Sequence, residues 1–506
     1  MGDYTPVQAG SSGAHRAEGL KPVALSTPPT PRGVRPMFVE SVIFVVWIGL
    51  EIANVILHVV LIIYGILTAG FSCRTPDDPR PHVVIVGASF GGLAAQRELS
   101  GRDDVRVTVI DFKSYFEYTP GVLRCFVQPS YLKQLTCPLP TLRNELLTAA
   151  MVGSTEDAVV IRDAQGAKRI VKFDYLVMAV GSTYADPIKP SASEPTLAER
   201  QAMWNESSSK CAAASTVIII GAGPVGVELA GEILTLYPEK KVTLVSNTLL
   251  PGFDDYASDY ARAWLQKRGA ELVQGDRIEQ TFPNSLILKS GRELKADVVY
   301  KCVGYVPNTA MLKESSVFNG QFGARDAINV NDHLQVKGNP KVYCVGDMMS
   351  HSSAELKLAH TAECNAHLAA HNILADIHGH QLLTYPRGVT GSDTTPKLWD
   401  VSLGKYDAVM GFNGLIACGW YVAVVKWLLE WTKVAAAAER PIGIWFWKFS
   451  DAMANFLHRT LIRDGYPPVK KNGDIEQGST NGKQGVGLSP RGLRPLTHPA
   501  PPPLAL

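Results

Sequence analysis

The stretch from His82 to Leu99, HVVIVGASFGGLAAQREL, permits few folds. Its apolar run Val83 to Val86 ends at Gly87, passes through Ala88-Ser89-Phe90-Gly91-Gly92 and then takes on helical periodicity, which makes the segment a strand, a tight turn and a helix. Such a turn brings backbone N–H groups at a helix start against a pyrophosphate, where the positive end of the helix dipole favours negative charge. The pattern asks for glycine at three places. The chain offers Gly87, Ser89 and Gly92, a departure at the second. Val105 to Ile110 reads as the next strand, and Asp111 at its end is placed to hold a ribose 2′-hydroxyl.

A second unit of the same kind follows. Thr216 to Leu234, TVIIIGAGPVGVELAGEIL, carries a complete G-x-G-x-x-G at Gly221, Gly223 and Gly226. The strand after it, Lys241 to Val245, ends in Ser246-Asn247, with neither an acid to repel a 2′-phosphate nor an arginine to clamp one. NADH and NADPH therefore both stay open as its ligand. Further strands are expected at Tyr175 to Gly181, Lys295 to Asn308 and Lys341 to Asp347, the last delivering Asp347 at the carboxyl end, where open α/β sheets bind ligands. Ala354 to Ile377 has a long helical pattern, and Ser182 to Ser215 reads as a polar linker.

A chain of 506 residues exceeds one hydrophobic core, so several folded units are expected. The net charge of +2 gives no sequence-wide basic excess, and no nucleic-acid partner is expected. Residues 1–37 and 466–506 are rich in Pro, Gly and Ser and are read as disordered tails. The start Met1-Gly2 lacks the Ser or Thr at position six that myristoylation wants, since Pro6 stands there, and lipidation is rejected.

Phe38 to Phe71 is the most hydrophobic stretch and is read, over 38–72, as a membrane helix. As one straight helix it would run about 50 Å at about 1.5 Å per residue, against about 30 Å of hydrocarbon. Part of it must tilt, bend or lie in the interface, so a single span and an in-plane helix are both open. Glu51, Asn54 and His58 share one face, a stripe suited to a partner helix or the nucleotide-binding body. Met410 to Ile462 holds Trp420, Trp427, Trp431, Trp445 and Trp447 interleaved with Lys426, Lys433 and Lys448. This combination suits a membrane interface, aromatic bodies among the headgroups and ammonium groups in water. His360, His367, His371 and His378 share a helical face without a companion carboxylate or cysteine set, and no metal site is expected.

The order Gly87-x-Ser89-x-x-Gly92, Asp111, Val180-Gly181, Gly221-x-Gly223-x-x-Gly226, Val303-Gly304-Tyr305 with Pro307-Asn308, and Gly346-Asp347 resembles the two-dinucleotide-binding-domain flavoproteins. Leu123-Arg124, Tyr237-Pro238-Glu239-Lys240 and Leu356-Lys357-Leu358-Ala359 make it most similar to their apoptosis-inducing-factor-like, ferroptosis-suppressor branch, related to type II NADH:quinone oxidoreductases.

The resemblance implies an α/β fold of two Rossmann-like domains. An FAD-binding domain (80–212 and 305–385) would be interrupted by an NAD(P)H-binding domain (213–304), and a helical, membrane-associated region (386–465) would complete the fold. Gly87, Ser89, Gly92, Asp111 and Lys113 would bind the adenosine side of FAD, Asp347 its ribityl chain, and Arg124, Gly181 and Gly304 would join the cofactor-binding set. Gly221, Gly223 and Gly226 would hold the NAD(P)H pyrophosphate. Glu228 would lie by the nicotinamide, and Lys357 would act at the flavin. The implied activity is hydride transfer from NADH or NADPH to non-covalent FAD and then two-electron reduction of a quinone at a membrane, the flavin domain facing the NAD(P)H-containing side and homodimerisation left open. A reductase of a protein electron carrier and a redox-sensing or death-signalling flavoprotein are the rival readings. Disulfide reductases of this superfamily carry two close cysteines on the flavin face. Here Cys125 and Cys137 have eleven residues between them and none of the eight cysteines forms a tight pair, which argues for direct transfer from flavin to acceptor.

Overall fold

Val34–Thr68 forms one helix, α1. The structure, a computed structural model, describes residues 25–26, 34–68, 79–140, 145–184 and 187–461, and the side chains of α1 from 38 to 57. The lipidation reading at Gly2, the C-terminal tail, the side chain of His58 and nearly all of the N-terminal tail lie outside these residues. Leu25–Ser26 is a correction to the disordered reading: it pairs in parallel with Ala417 and Cys418.

The first nucleotide unit is built on β1 (His82–Val86), α2 (Phe90–Leu99), β2 (Arg106–Asp111), β3 (Glu145–Thr148) and β4 (Tyr175–Met178). Every residue of β1 is buried, the burial expected of a central parallel strand covered on both faces, and it explains the unbroken apolar run. An antiparallel meander of Ala150–Ser154, Ala158–Arg162 and Lys168–Lys172 is inserted before β4.

The stretch expected to be a polar linker is folded. It contains α3 (Leu197–Ala213), started by a capping box between Thr196 and Glu199. Its polar composition hides one fully buried cation: Arg200 donates to both carboxylate oxygens of Glu117 (2.6 and 2.8 Å) and to Glu194 (2.7 Å), and lies over Trp204. A buried guanidinium is tolerable because all its charge is matched by bidentate partners.

The second unit consists of β5 (Thr216–Ile220), α4 (Pro224–Leu236), β6 (Lys241–Ser246), α5 (Asp255–Gln266), β7 (Glu271–Gln274) and β8 (Val298–Lys301), a parallel sheet in the order β7-β6-β5-β8. The chain then re-enters the first sheet through β9 (Gln335–Val336) and β10 (Asn339–Cys344), and β10 lies parallel to β4. The resulting order is β9-β10-β4-β1-β2-β3. The two sheets are joined where Ser182–Thr183 pairs antiparallel with Val306–Pro307. Helix α6 (Ala359–Ile377) covers α2; it starts later than the periodicity suggests, leaving Lys357 just ahead of it.

The C-terminal region is only partly helical. It opens with an antiparallel meander, β11 (Leu398–Ser402), β12 (Ala408–Phe412) and β13 (Leu415–Gly419), and continues as α7 (Trp420–Ala437) and α8 (Pro441–Leu461). Both of these helices pack on α1.

Candidate functional site

At the first turn, close approach dictates the glycines. A Cβ on Gly92 would sit 1.7 Å from the carbonyl oxygen of Gly87, so any side chain there pushes α2 off β1. Asp111 holds the turn from β2: its carboxylate accepts from the Ala88 N–H (2.6 Å) and the Lys113 N–H (3.0 Å) and pairs with the Lys113 ammonium (3.2 Å). Ser89 is the N-cap of α2, yet its hydroxyl makes no capping bond, which leaves it free to face a ligand. The second turn repeats this geometry, a Cβ on Gly226 falling 1.9 Å from the Gly221 carbonyl. At Gly223 a Cβ would meet nothing within 4 Å. The protein itself has room for a side chain there, so its own packing does not demand this glycine. Gly181 and Gly304 adopt left-handed conformations beside the ribbon that joins the sheets, where Asn308 bonds to Val180 and Gly181.

Asp347 stands just beyond the carboxyl end of β10. It accepts from the Ser182 hydroxyl (2.6 Å) and the Lys189 ammonium (2.9 Å). Burial alone would raise its carboxyl, but Lys189, Ser182 and the nearby Lys357 hold it below the usual carboxylate range. Lys189 escaped the sequence reading because it sits in the supposed linker, with no motif around it. Lys357 donates to the carbonyls of Met349 (2.8 Å) and Gly346 (3.3 Å), and burial pulls its ammonium below the ordinary lysine value.

Two expected site residues come together elsewhere: Arg124 lines a cavity of about 640 Å³ walled by α1, the turn Thr119–Phe126, α4 and α7, and Glu228 is bonded to its lining residues Lys426 and Ser402. Arg124 stands near the end of the turn that lines this cavity. It donates to Glu232 of α4 (3.1 Å) and lies over the Tyr131 ring. Tyr131 in turn bonds to Glu430 of α7, whose carboxyl is pushed up by burial against the pull of Arg124. Glu228, expected beside a nicotinamide, is ion-paired with Lys426 and accepts from the backbone N–H (2.8 Å) and hydroxyl (3.0 Å) of Ser402; Lys426 also pairs with Asp400 (2.8 Å). These contacts fasten the C-terminal region to the helix of the second nucleotide turn. Ile43, Phe44 and Trp47 of α1 and Trp427 and Trp431 of α7 give the cavity its apolar wall.

The tryptophan and lysine reading needs correction here. Lys426 is engaged as above, and Lys433 is buried against Glu363 and the Trp447 ring, so neither ammonium lies in water; both neutralise internal carboxylates. Lys448, by contrast, is exposed.

The cysteines described, Cys125, Cys137, Cys211, Cys302, Cys344, Cys364 and Cys418, are all free and buried. Burial pushes the Cys137 and Cys302 thiols up to about 12. Three of the four aligned histidines turn to separate carboxylates, His360 to Asp451 (3.8 Å), His367 to Glu98 (3.1 Å) and His378 to Asp104 (2.9 Å). Among the described residues no group of three or more His, Cys, Asp or Glu is placed to hold a metal.

His351, packed edge-on against Tyr385, carries a pH dependence. Its Nδ1 accepts from the Ser353 N–H, and its Nε2 is 3.6 Å from Asp332, too long for a hydrogen bond. Burial pushes the ring down to about 4. The unfolded chain therefore binds more protons between pH 6.5 and 4, so stability is lost as pH falls through that window. A thermal midpoint that drops between pH 7 and 5 is expected, with a shallower drop in His351→Phe. An identical slope in the variant would assign the effect to other groups.

Two glycine turns on parallel sheets joined into one chain, with an acid at the end of a returning strand, define an oxidoreductase that binds two nucleotides. The chain belongs to the pyridine nucleotide-disulphide oxidoreductase family, whose sequence model matches residues 81–366. It is 27% identical over 351 residues to the ferroptosis suppressor protein 1 of Homo sapiens, across 66% of this chain and 89% of that protein. Among solved structures it is similar to NDH2 from Plasmodium falciparum in complex with NADH, with a TM-score of 0.57 and 13% identity over 75% of this chain and 98% of that one. It is also similar to the sulfide:quinone oxidoreductase of Aquifex aeolicus, with a TM-score of 0.60 and 18% identity over 77% and 97%. The family is one of flavoprotein oxidoreductases that bind FAD, and the resemblance read from motif order holds.

Proposed function

We propose that this chain is a membrane-associated, FAD-dependent NAD(P)H:quinone oxidoreductase. The observation that carries the acceptor is the cavity: its volume suits a small molecule, and one wall is apolar, Ile43, Phe44 and Trp47 of α1 with Trp427 and Trp431 of α7, while charged groups such as Arg124, Glu232, Lys426 and Glu430 line the rest. A lipid-soluble acceptor fits such a wall better than a protein carrier does. That one solved structure of this fold is a sulfide:quinone oxidoreductase agrees with the reading.

Bound FAD would supply the two-electron chemistry, taking a hydride from the nicotinamide and passing two electrons on. The chain's own residues position and neutralise. Gly87, Ser89, Gly92, Asp111 and Lys113 hold the adenosine end of FAD and Asp347 its ribityl chain. The turn at Gly221, Gly223 and Gly226 holds the NAD(P)H pyrophosphate, with Glu228 toward the nicotinamide side. Lys357, its ammonium fixed by the carbonyls of Met349 and Gly346, would act at the flavin. The described cysteines are buried thiols with raised pKa, a poor form for thiolate relay, which supports direct delivery to the acceptor.

Stopped-flow mixing with NADH or NADPH tests the proposal. Flavin absorbance is expected to bleach and then return faster when a short-chain quinone is present. Reoxidation indifferent to quinone would sink the proposal. Lys357→Ala is expected to keep its flavin and to slow reoxidation by about tenfold or more, the loss of about 1.5–3 kcal/mol from one charged hydrogen-bonding group. Unchanged quinone turnover would remove Lys357 from the site.

A further inference from the structure

We propose that α1, with α8, lies in one leaflet of a lipid bilayer along the plane of the membrane, both ends of α1 facing the same side as the catalytic body. This rests on the membrane association above and decides its topology.

Three residues fix the N-terminal part of α1 to the folded body. Glu40 bonds to Lys405 and to the Tyr406 hydroxyl (2.8 Å), and Glu51 pairs with Arg440 (3.2 Å). Phe38 meets the Trp420 ring edge-on. Glu40 and Glu51 are eleven residues apart, three helical turns, so they lie on one face about 16 Å apart along the axis. Before α1, Leu25–Ser26 already pairs with β13. The chain therefore approaches α1 from the catalytic side.

It also leaves on that side. Ten residues separate Thr68 from Pro79, and His82 opens the central strand β1. A helix that crossed the membrane would have to bring those ten residues back through about 30 Å of hydrocarbon as extended chain, with a reach of about 35 Å, carrying Arg74, Asp77 and Asp78 and an unpaired backbone. That route is forbidden, whereas an in-plane helix needs no return.

The outward faces match lipid. Phe44, Val45, Ile48, Ile52, Val55 and Ile56 of α1 are exposed although apolar. On α8, packed beside α1, Trp445, Phe449, Met453 and Phe456 form an exposed stripe. Two adjoining apolar faces of this kind need a cover, and a helix pair with polar contacts on the inner side and apolar ones on the outer is built for an interface.

The test uses the full chain synthesised beside sealed phosphatidylcholine vesicles, with Cys73→Ser removing the one cysteine outside the described residues. Single cysteines are introduced by Ser11→Cys, ahead of α1, or Lys289→Cys, on the exposed surface of the second unit. A membrane-impermeant maleimide is expected to label both positions equally before and after detergent. Labelling at position 11 only after detergent would show that α1 spans and overturn the proposal. The combined change Ile48→Ser, Trp445→Ser and Phe449→Ser is expected to cut the vesicle-bound fraction at least threefold. Unchanged binding, or a parent protein that stays off vesicles as a dimer, would overturn the assignment to lipid. None of these readouts needs turnover, so a failure of the quinone reading and a failure of this topology are distinguishable.

Discussion

Asp347→Ala is expected to purify without the yellow colour of its flavin. Strand β10 ends at Cys344 and the next turn delivers Asp347 at the carboxyl edge of the parallel sheet, the side on which such sheets bind ligands. In this structure the carboxylate is held ionised by Lys189 and the Ser182 hydroxyl, ready to accept from a ligand hydroxyl. A hydrogen bond to a charged group contributes about 1.5–3 kcal/mol, which is about 10- to 150-fold in affinity. The substitution also strips the Lys189 ammonium of its counter-charge inside the site, and the two losses act together. The ratio of flavin to protein absorbance after gel filtration measures the effect, with far-ultraviolet circular dichroism to establish that the fold persists. A protein that retains full flavin would remove Asp347 from the cofactor site.

The second large effect is on stability. Lys426→Met leaves Glu228 and Asp400 facing one another without the cation between them, in a place where the side chain of Glu228 is 8% exposed. Breaking a buried pair on one side costs about 3–5 kcal/mol, enough to lower the unfolding midpoint by several degrees. The sign of its pH dependence is a sharper check. Burial already raises the Glu228 carboxyl, and Lys426 opposes that rise. Without Lys426 the folded pKa moves further up, so the folded state binds a proton that the unfolded state lacks, and stability falls as pH rises through the folded value. The variant is therefore expected to recover part of its loss on going from pH 8 to pH 5.5, opposite in direction to the trend set by His351. A variant equally destabilised at both pH values would show that Lys426 contributes through shape rather than charge.

Much of the fold was legible because nucleotide turns write their geometry into short sequence. Gly92 and Gly226 leave no space for a Cβ, so spacing alone located both sheets and the order of the motifs. What stayed hidden depends on partners distant in the chain. Arg200, Lys426 and Lys433 look like surface residues until Glu117, Glu228 and Glu363 are seen to meet them, and local pattern does not encode such pairings. The same blindness turned Ser182 to Ser215, which contains α3, into a linker and placed the ammonium groups of Lys426 and Lys433 in water. At the candidate site, Asp347 was visible from its position after a strand, while Lys189 and the Tyr131–Glu430 pair were not, since neither belongs to a motif.

The contacts of α1 also impose an order in time. Glu40 waits for Lys405, 365 residues later, and Glu51 for Arg440, 389 residues later. At about 5–20 residues per second of synthesis, that is about 20–75 s during which the most apolar helix of the chain exists without its docking surface. Among the described residues, the last helices made are the ones that receive α1. A ribosome that stalls within α7 would release a chain whose two nucleotide sheets are complete but whose α1 lacks its contact at Arg440.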